Sequence, residues 1–131
     1  MIVVDASVLV NSLTDDGSLG EAAREALRAD RAWVGPEHLQ VEVFSAIRGR
    51  YLGGKVSAAR GGAAVEALAD LTVTRVETRM LLNRMWALRD RCSGYDAAYV
   101  AIAEVYRCPL VTADGRLARA AGGLCDVHAI G

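Results

Sequence analysis

Met1-Ile2-Val3-Val4-Asp5-Ala6-Ser7-Val8-Leu9-Val10 opens the chain, and its first half decides the fold. Ile2-Val3-Val4 is short and wholly apolar, the form of a central parallel strand buried on both faces. A carboxylate stops it at Asp5, and Ala6–Leu13 reads as a first helix. Strand, acid, helix is the opening of an α/β chain.

The same rhythm repeats downstream. After a turn at Thr14-Asp15-Asp16-Gly17, a helix is predicted from Ser18 to Asp30, with Glu21, Arg24, Glu25 and Arg28 at helical spacing. Ala32-Trp33-Val34 reads as a second strand, and Pro36 as the first turn of a helix running to Gly53-Gly54. Ser57–Asp70 is a helix of small residues, Leu71–Val76 a β-branched strand and Glu77–Arg91 a further helix. Ser93 and Asp96 have the spacing of a capping box for a helix over Tyr95–Tyr106. Pro109–Thr112 is another buried strand, Gly115–Ala121 a short helix and Val127–Ile130 a last edge strand. Short apolar strands alternating with helices predict a three-layer α/β/α sandwich around a mostly parallel sheet. No linker or repeat divides it, so one domain over residues 1–131 is expected.

Four acids fall at the joints of this pattern: Asp5, Glu42, Asp96 and Asp114. Each sits among apolar neighbours, where an isolated charge is costly. Taken singly, each has an ordinary explanation. Asp5 caps a helix, Asp114 precedes Gly115 in a turn, Asp96 completes a capping box, and Glu42 lies on an exposed face. Taken together they make sense if a divalent cation neutralises them. In open parallel sheets, ligands gather beyond the carboxyl ends of strands where strand order reverses, and Asp5 and Asp114 follow strand ends. Oxygen ligands without His or Cys nearby suit Mg²⁺ or Mn²⁺ rather than zinc. Such an ion activates water and stabilises charge on a phosphodiester. Ser7 and Thr112 place hydroxyls two residues from Asp5 and Asp114, and Asn11 shares the helical face of Ser7.

Composition narrows the classes. With 131 residues, 53% of them hydrophobic, and only 2 Pro, the chain buries a real core and is not disordered. A net charge of −1 excludes nucleic-acid binding by bulk electrostatics, so any such contact is local and rests on a few arginines. Arg48 and Arg116 are the candidates for touching RNA or a protein partner; Arg84, Arg89 and Arg91 read as a solvated face. His38 and His128 lack partners at ligand spacing and read as structural. Tyr95 and Tyr99 read as packing residues, although Tyr95 is also placed to stack a base. Cys92, Cys108 and Cys125 contain no CxxC pair and read as reduced thiols. The start carries no basic n-region, and no stretch reaches the ~18 apolar residues of a transmembrane helix. A soluble, cytoplasmic protein is expected.

These blocks also carry a family resemblance. V-V-D-A-S-V-L-V at 3–10, P-E-H-L-Q-V-E-V at 36–43, Y-D-A-A-Y-V-A-I-A-E at 95–104 and L-V-T-A-D-G-R-L at 110–117 are individually weak. In this order they resemble a PIN-domain ribonuclease of the VapC type, the toxin of a bacterial type II toxin–antitoxin pair. The resemblance implies that Asp5, Glu42, Asp96 and Asp114 form an acidic metal site, with Ser7, Thr112 and Asn11 in support. It further implies an Mg²⁺- or Mn²⁺-dependent endoribonuclease, a homodimer, and inhibition by a VapB-type antitoxin whose tail brings an Arg toward the acids.

Other classes fit less well. A non-catalytic module of the same fold, binding antitoxin or RNA, is the alternative. A haloacid-dehalogenase-like phosphatase wants an Asp where Ser7 stands, and a receiver domain wants a Lys late in the chain, where Lys55 is not. A dinucleotide-binding domain wants a GxGxxG after the first strand, and none is present.

Overall fold

The structure, a computed structural model, describes residues 1–131. In chain order the elements are β1 (Ile2–Val4), α1 (Ala6–Thr14), α2 (Ser18–Ala29), β2 (Trp33–Pro36), α3 (Leu39–Leu52), α4 (Ala58–Asp70), β3 (Thr74–Val76), α5 (Leu82–Ala87), α6 (Gly94–Tyr106), β4 (Leu110–Thr112), α7 (Gly115–Ala121) and β5 (Val127–Ala129). The five strands form one sheet in the order β3-β2-β1-β4-β5, and every pairing is parallel.

This order reverses direction at β1. The chain steps from β1 to β2 to β3 on one side, then returns past β1 to lay down β4 and β5 on the other. Parallel crossovers are right-handed, so reversing the direction of travel moves the helices to the opposite face. Accordingly α1 packs against α2, α3 and α4, while α5 packs against α6 and α6 lies on β1, β2 and β4. The result is helices, sheet, helices: the three-layer α/β/α sandwich the sequence predicts. β5 is the edge strand expected, one residue shorter.

The core runs through the middle strands. Val3, Val4, Val34 and Leu110 are wholly buried, and Val8, Leu39, Val43 and Ile102 close over them from both helical layers. A side chain of this kind contributes about 1.5–3 kcal/mol on burial. Truncating Leu110 to Ala removes that and opens a cavity, at a cost of about 2–5 kcal/mol.

Three local expectations are corrected. Pro36 ends β2, opposite Val76, and α3 begins at Leu39 after a turn. A strand's last residue tolerates Pro, whose missing N–H is not needed beyond the ladder. The expected helix over 77–91 is broken into a 3-10 turn at Thr78–Met80, the short α5 and further turns. Leu81 and Leu88 are buried with Met85 half-buried between them, while Met80, Leu82 and Trp86 remain largely exposed, so the segment meets the core over only two turns. The third strand is also shorter than Leu71–Val76, since only Thr74–Val76 pairs with β2.

Candidate acidic active site

Strand order reverses between β1 and β4, where open parallel sheets form a crevice beyond the strands' carboxyl ends, and the acids gather there closely enough to shift one another. β1 delivers Asp5 directly. The side chain caps α1, accepting from the Ser7 N–H at 3.4 Å, so the ordinary helix-cap role is real. It is a small part of what the residue does. The Ser7 hydroxyl donates to Asp5 Oδ2 at 2.5 Å, and the Thr112 hydroxyl donates to the same oxygen at 2.9 Å. Three bonds therefore converge on Oδ2, and none of them engages Oδ1.

The two hydroxyls also fix the next acid. Ser7 Oγ accepts from the Ala113 N–H at 3.0 Å, and Thr112 Oγ1 accepts from the Asp114 N–H at 2.9 Å. The loop leaving β4 is thereby stitched to the end of β1. Asp114 caps α7 through Oδ1, which accepts from the Arg116 N–H at 2.9 Å. Its Oδ2 turns to the Arg116 guanidinium, 3.5 Å away.

Asp96 enters from the first turn of α6. Ser93 caps that helix by accepting from the Asp96 N–H at 3.2 Å, but the reciprocal bond of a capping box is not made. The carboxylate instead lies buried facing Arg116, whose Nη1 approaches Asp96 Oδ2 to 2.8 Å. That approach is off the hydrogen-bond axis, so the oxygen is paired in charge yet lacks an aligned donor.

Glu42 completes the set from the first turn of α3. The buried Tyr99 hydroxyl donates to its Oε1 at 3.0 Å, and His38 Nε2 lies 3.0 Å from the same atom. Tyr99 is packing, as the sequence suggests, and it is also a donor into the site. His38, read from sequence as partnerless, sits one turn before Glu42 on the same helical face. That i to i+4 spacing is the signal that could have revealed it.

The remaining candidates lie elsewhere. Asn11 is buried but points its oxygen at Arg50, which donates to it at 2.6 Å and to Thr14 Oγ1 at 2.7 Å. Arg48 is exposed beside Phe44, Ile47 and Tyr51, in a groove between α3 and α4 away from the acids. Arg84 makes a two-pronged contact with Glu104, Arg89 lies over Trp86, and Arg91 donates to the carbonyls of Ala120 and Gly122.

The electrostatics of the cluster are unfavourable to charge. Burial raises the Asp5 carboxyl above its ordinary value and Glu42 adds to the rise, against the lowering by the Ser7 and Thr112 hydroxyls. Burial likewise raises Asp96; Arg116 opposes this, while Asp114 and Glu42 reinforce it. Tyr99 is pushed up by burial and by the nearby Glu42 and Asp5, so its hydroxyl stays a donor.

This donor set fits a hard divalent cation. All its ligating atoms are carboxylate or hydroxyl oxygens, Asp5 Oδ1 is free, and Asp96 Oδ2 is buried without an aligned donor. No three side chains close on one point as a finished cage. Like charges repel, and here Arg116 alone lies between Asp96 and Asp114.

The PIN domain family matches residues 2–123 of the chain. Ribonuclease VapC9 of Mycobacterium tuberculosis is 38% identical over 130 residues, spanning 99% of this chain and 98% of its own. Among solved structures, VapC20 of Mycobacterium tuberculosis, a toxin that cleaves the sarcin-ricin loop, superposes with a TM-score of 0.70 at 19% identity, covering 93% of this chain and 95% of that one. VapBC2 of Rickettsia felis, solved bound to a DNA fragment from its promoter, gives a TM-score of 0.70 at 9% identity over 100% of both chains. At such identities these two structures report the fold alone. PIN-domain nucleases are generally dependent on divalent metal, in keeping with an all-oxygen donor set. The near full-length match to a ribonuclease and the family assignment agree, and the chain belongs to the PIN-domain family, among its VapC ribonucleases.

Proposed function

We propose that this chain is the toxin of a VapBC-type pair, an endoribonuclease that uses Mg²⁺ or Mn²⁺ to hydrolyse RNA phosphodiester bonds. The observation that carries this is the crevice between β1 and β4. There Asp5 and Asp96, both buried and both with raised pKa, meet Asp114 and Glu42 in a chain 38% identical to a VapC ribonuclease.

In this reading Asp5, Asp96, Asp114 and Glu42 hold the metal. When bound, it supplies an activated water and stabilises charge on the phosphate. The protein's own groups prepare the site. Ser7 and Thr112 lock Asp5 through Oδ2 and leave Oδ1 to face the crevice. Tyr99 holds Glu42 through Oε1, limiting the rotamers open to it. Arg116, 64% exposed in its side chain, is open to an RNA phosphate that would draw it from the acids.

The partners follow from the same reading. A VapB-type antitoxin covers the acids, and the separate groove holding Arg48, Phe44 and Tyr51 between α3 and α4 offers it a second contact. Residues 1–131 act as one ribonuclease unit, paired as a homodimer in the cytoplasm, where its RNA is found. No helix of the chain is long and apolar enough to cross a membrane.

The test is expression of the wild type beside Asp5→Asn, with mapping of new RNA 5′ ends. The wild type should create defined ends and arrest growth, and the variant should do neither. Equal cleavage by both would remove Asp5 from the chemistry, and no cleavage by either would favour a non-catalytic binding module.

A further inference from the structure

One wall of the acidic crevice continues into a cleft of about 350 Å³ lined by His38, Val41, Glu42, Ser45 and Tyr95. Apart from Glu42, none of these residues has a part in the hydrolytic reading. Tyr95 immediately precedes Asp96, yet where Asp96 is buried, Tyr95 leaves 64% of its surface in solvent. Its ring stands nearly perpendicular to His38, at 77° with centroids 5.2 Å apart, and His38 is held from its other side by Tyr99 at 5.7 Å. The exposed Tyr95 ring and the half-buried His38 ring make a nearly right-angled corner.

The corner's polar atoms are underused. His38 Nε2 is buried and makes no aligned hydrogen bond, although Glu42 Oε1 lies 3.0 Å away. The Ser45 hydroxyl makes no hydrogen bond within the protein and lines the same cleft. Val41, 67% exposed, supplies an apolar floor. Such a cleft offers a flat aromatic face, an apolar floor and a few polar atoms at its edge. It carries no cation and includes one acid, so it does not suit a phosphate. It suits a neutral, planar, hydrogen-bonding ring.

We propose that this corner is a nucleobase subsite: an unpaired base flanking the scissile phosphate stacks on Tyr95, with its edge toward His38, Ser45 and Glu42. The proposal rests on the ribonuclease reading, because it is the neighbouring acids that place a phosphodiester beside the cleft. Glu42 belongs to both the acid cluster and the cleft, and Asp96 adjoins Tyr95 in the chain, so phosphate over the acids leaves the attached base within reach of Tyr95. Single-stranded RNA is recognised by this combination of aromatic stacking and edge contacts. A carboxylate at the edge favours bases that present an exocyclic amine, as Glu and Asp do with cytosine.

The test is binding of short, fluorescently labelled single-stranded RNA to the whole chain in EDTA, where no cleavage occurs. A second oligonucleotide of equal length carries abasic riboses throughout. Tyr95→Ala should weaken binding of the base-bearing RNA roughly tenfold, the loss of one stacked base, and leave the abasic RNA unaffected. Tyr95→Phe should bind like the wild type. With Mn²⁺ present, the loss should fall on KM rather than kcat. Because Tyr95 is exposed, Tyr95→Ala should melt with the wild type. Equal binding by wild type and Tyr95→Ala, equal losses on both oligonucleotides, or no binding of RNA by the wild type would each overturn the subsite. A defect confined to antitoxin binding would do so as well, assigning the corner to the protein partner. Base-dependent binding without cleavage under any divalent metal would instead sink the ribonuclease reading and leave the subsite standing.

Discussion

Two groups of carboxylates in this chain live under opposite conditions. Around the α1–α2 turn, Asp15 accepts from the Gly17 and Gly20 N–H groups, and Asp16 takes both prongs of Arg60. At the far end of α2, Asp30 holds the chain's amino terminus. All three sit below the ordinary Asp value: backbone donors lower Asp15, the Arg60 hydrogen bonds Asp16, and the amino terminus Asp30. In the crevice, Asp5 and Asp96 are buried and sit above it. The turn places each negative charge where the protein already supplies a partner. The crevice gathers negative charge faster than the protein compensates it, with Arg116 as the single arginine among the acids and His38 beside Glu42. Carboxylates that stabilise a fold look like the first group; a site awaiting a cation looks like the second.

The comparison breaks most sharply at Asp5. Asp5→Asn should lower metal-dependent RNA cleavage by at least about a hundredfold, the scale expected when one group of a charge-stabilising site is removed. Asp16→Asn should leave the cleavage rate unchanged and barely move the melting temperature. Comparable activity losses in both variants, assayed on the same RNA, would erase the distinction between the two groups.

Divalent metal should act on one group only. At a concentration near 100 times Kd, Mn²⁺ binding to the native state adds about 2.7 kcal/mol. For a chain of this size that raises Tm on the order of 10 °C. Calorimetry with and without EDTA reads the effect, which Asp5→Asn should largely abolish and Asp16→Asn should keep.

Acidity should separate the groups by sign. Asp5 and Asp96 have raised folded pKa values, so their contribution is fully present below the unfolded value of 3.8 and is lost as pH rises through the folded values. Asp15, Asp16 and Asp30 have lowered values, so theirs is present above 3.8 and is lost as pH falls. Metal-free Asp5→Asn should therefore gain on the wild type in Tm as pH climbs above 3.8, and the gain should vanish below it. Thermal melts from pH 3 upward would show the reverse trend for Asp16→Asn. A constant offset for Asp5→Asn across this range would mean that Asp5 is not held out of its charged form.

The smallest effect is expected at Arg116. Removing it as Arg116→Ala takes away a cation that competes for Asp96 and Asp114, so Mn²⁺ affinity measured by calorimetric titration should rise roughly threefold, in keeping with a largely exposed ion pair. Weaker Mn²⁺ binding would mean that Arg116 organises the acids rather than competing for them.

Much of this was legible in the sequence, for physical reasons that differ by element. Ile2–Val4 and Leu110–Thr112 are legible as interior strands because short β-branched, mostly apolar runs stand between turn residues and helices. Segment 77–91 departs from the single helix expected, because its outward apolar residues find nothing to pack on. Only packing decides whether Met80, Leu82 and Trp86 have a surface to cover, and here they do not. Pro36 was assigned to a helix start from a local preference that pairing with β3 overrode. At Asp5 and Asp114 the cap reading and the site reading describe different oxygens or different partners of the same side chain, so neither excludes the other.

The sequence alone determined the alternation of strand and helix, the placing of acids at strand ends and helix starts, and the membership of the chain in its family. Those properties are local or ordered along the chain, and residue type and spacing carry them. Only the tertiary structure decided that the sheet reverses at β1, that Ser7 and Thr112 bind one Asp5 oxygen and spare the other, and that His38 and Tyr99 meet at Glu42. These are contacts between segments as many as 107 residues apart. Which oxygen of a carboxylate is engaged depends on how the two helical layers settle on the sheet, and no single segment encodes that.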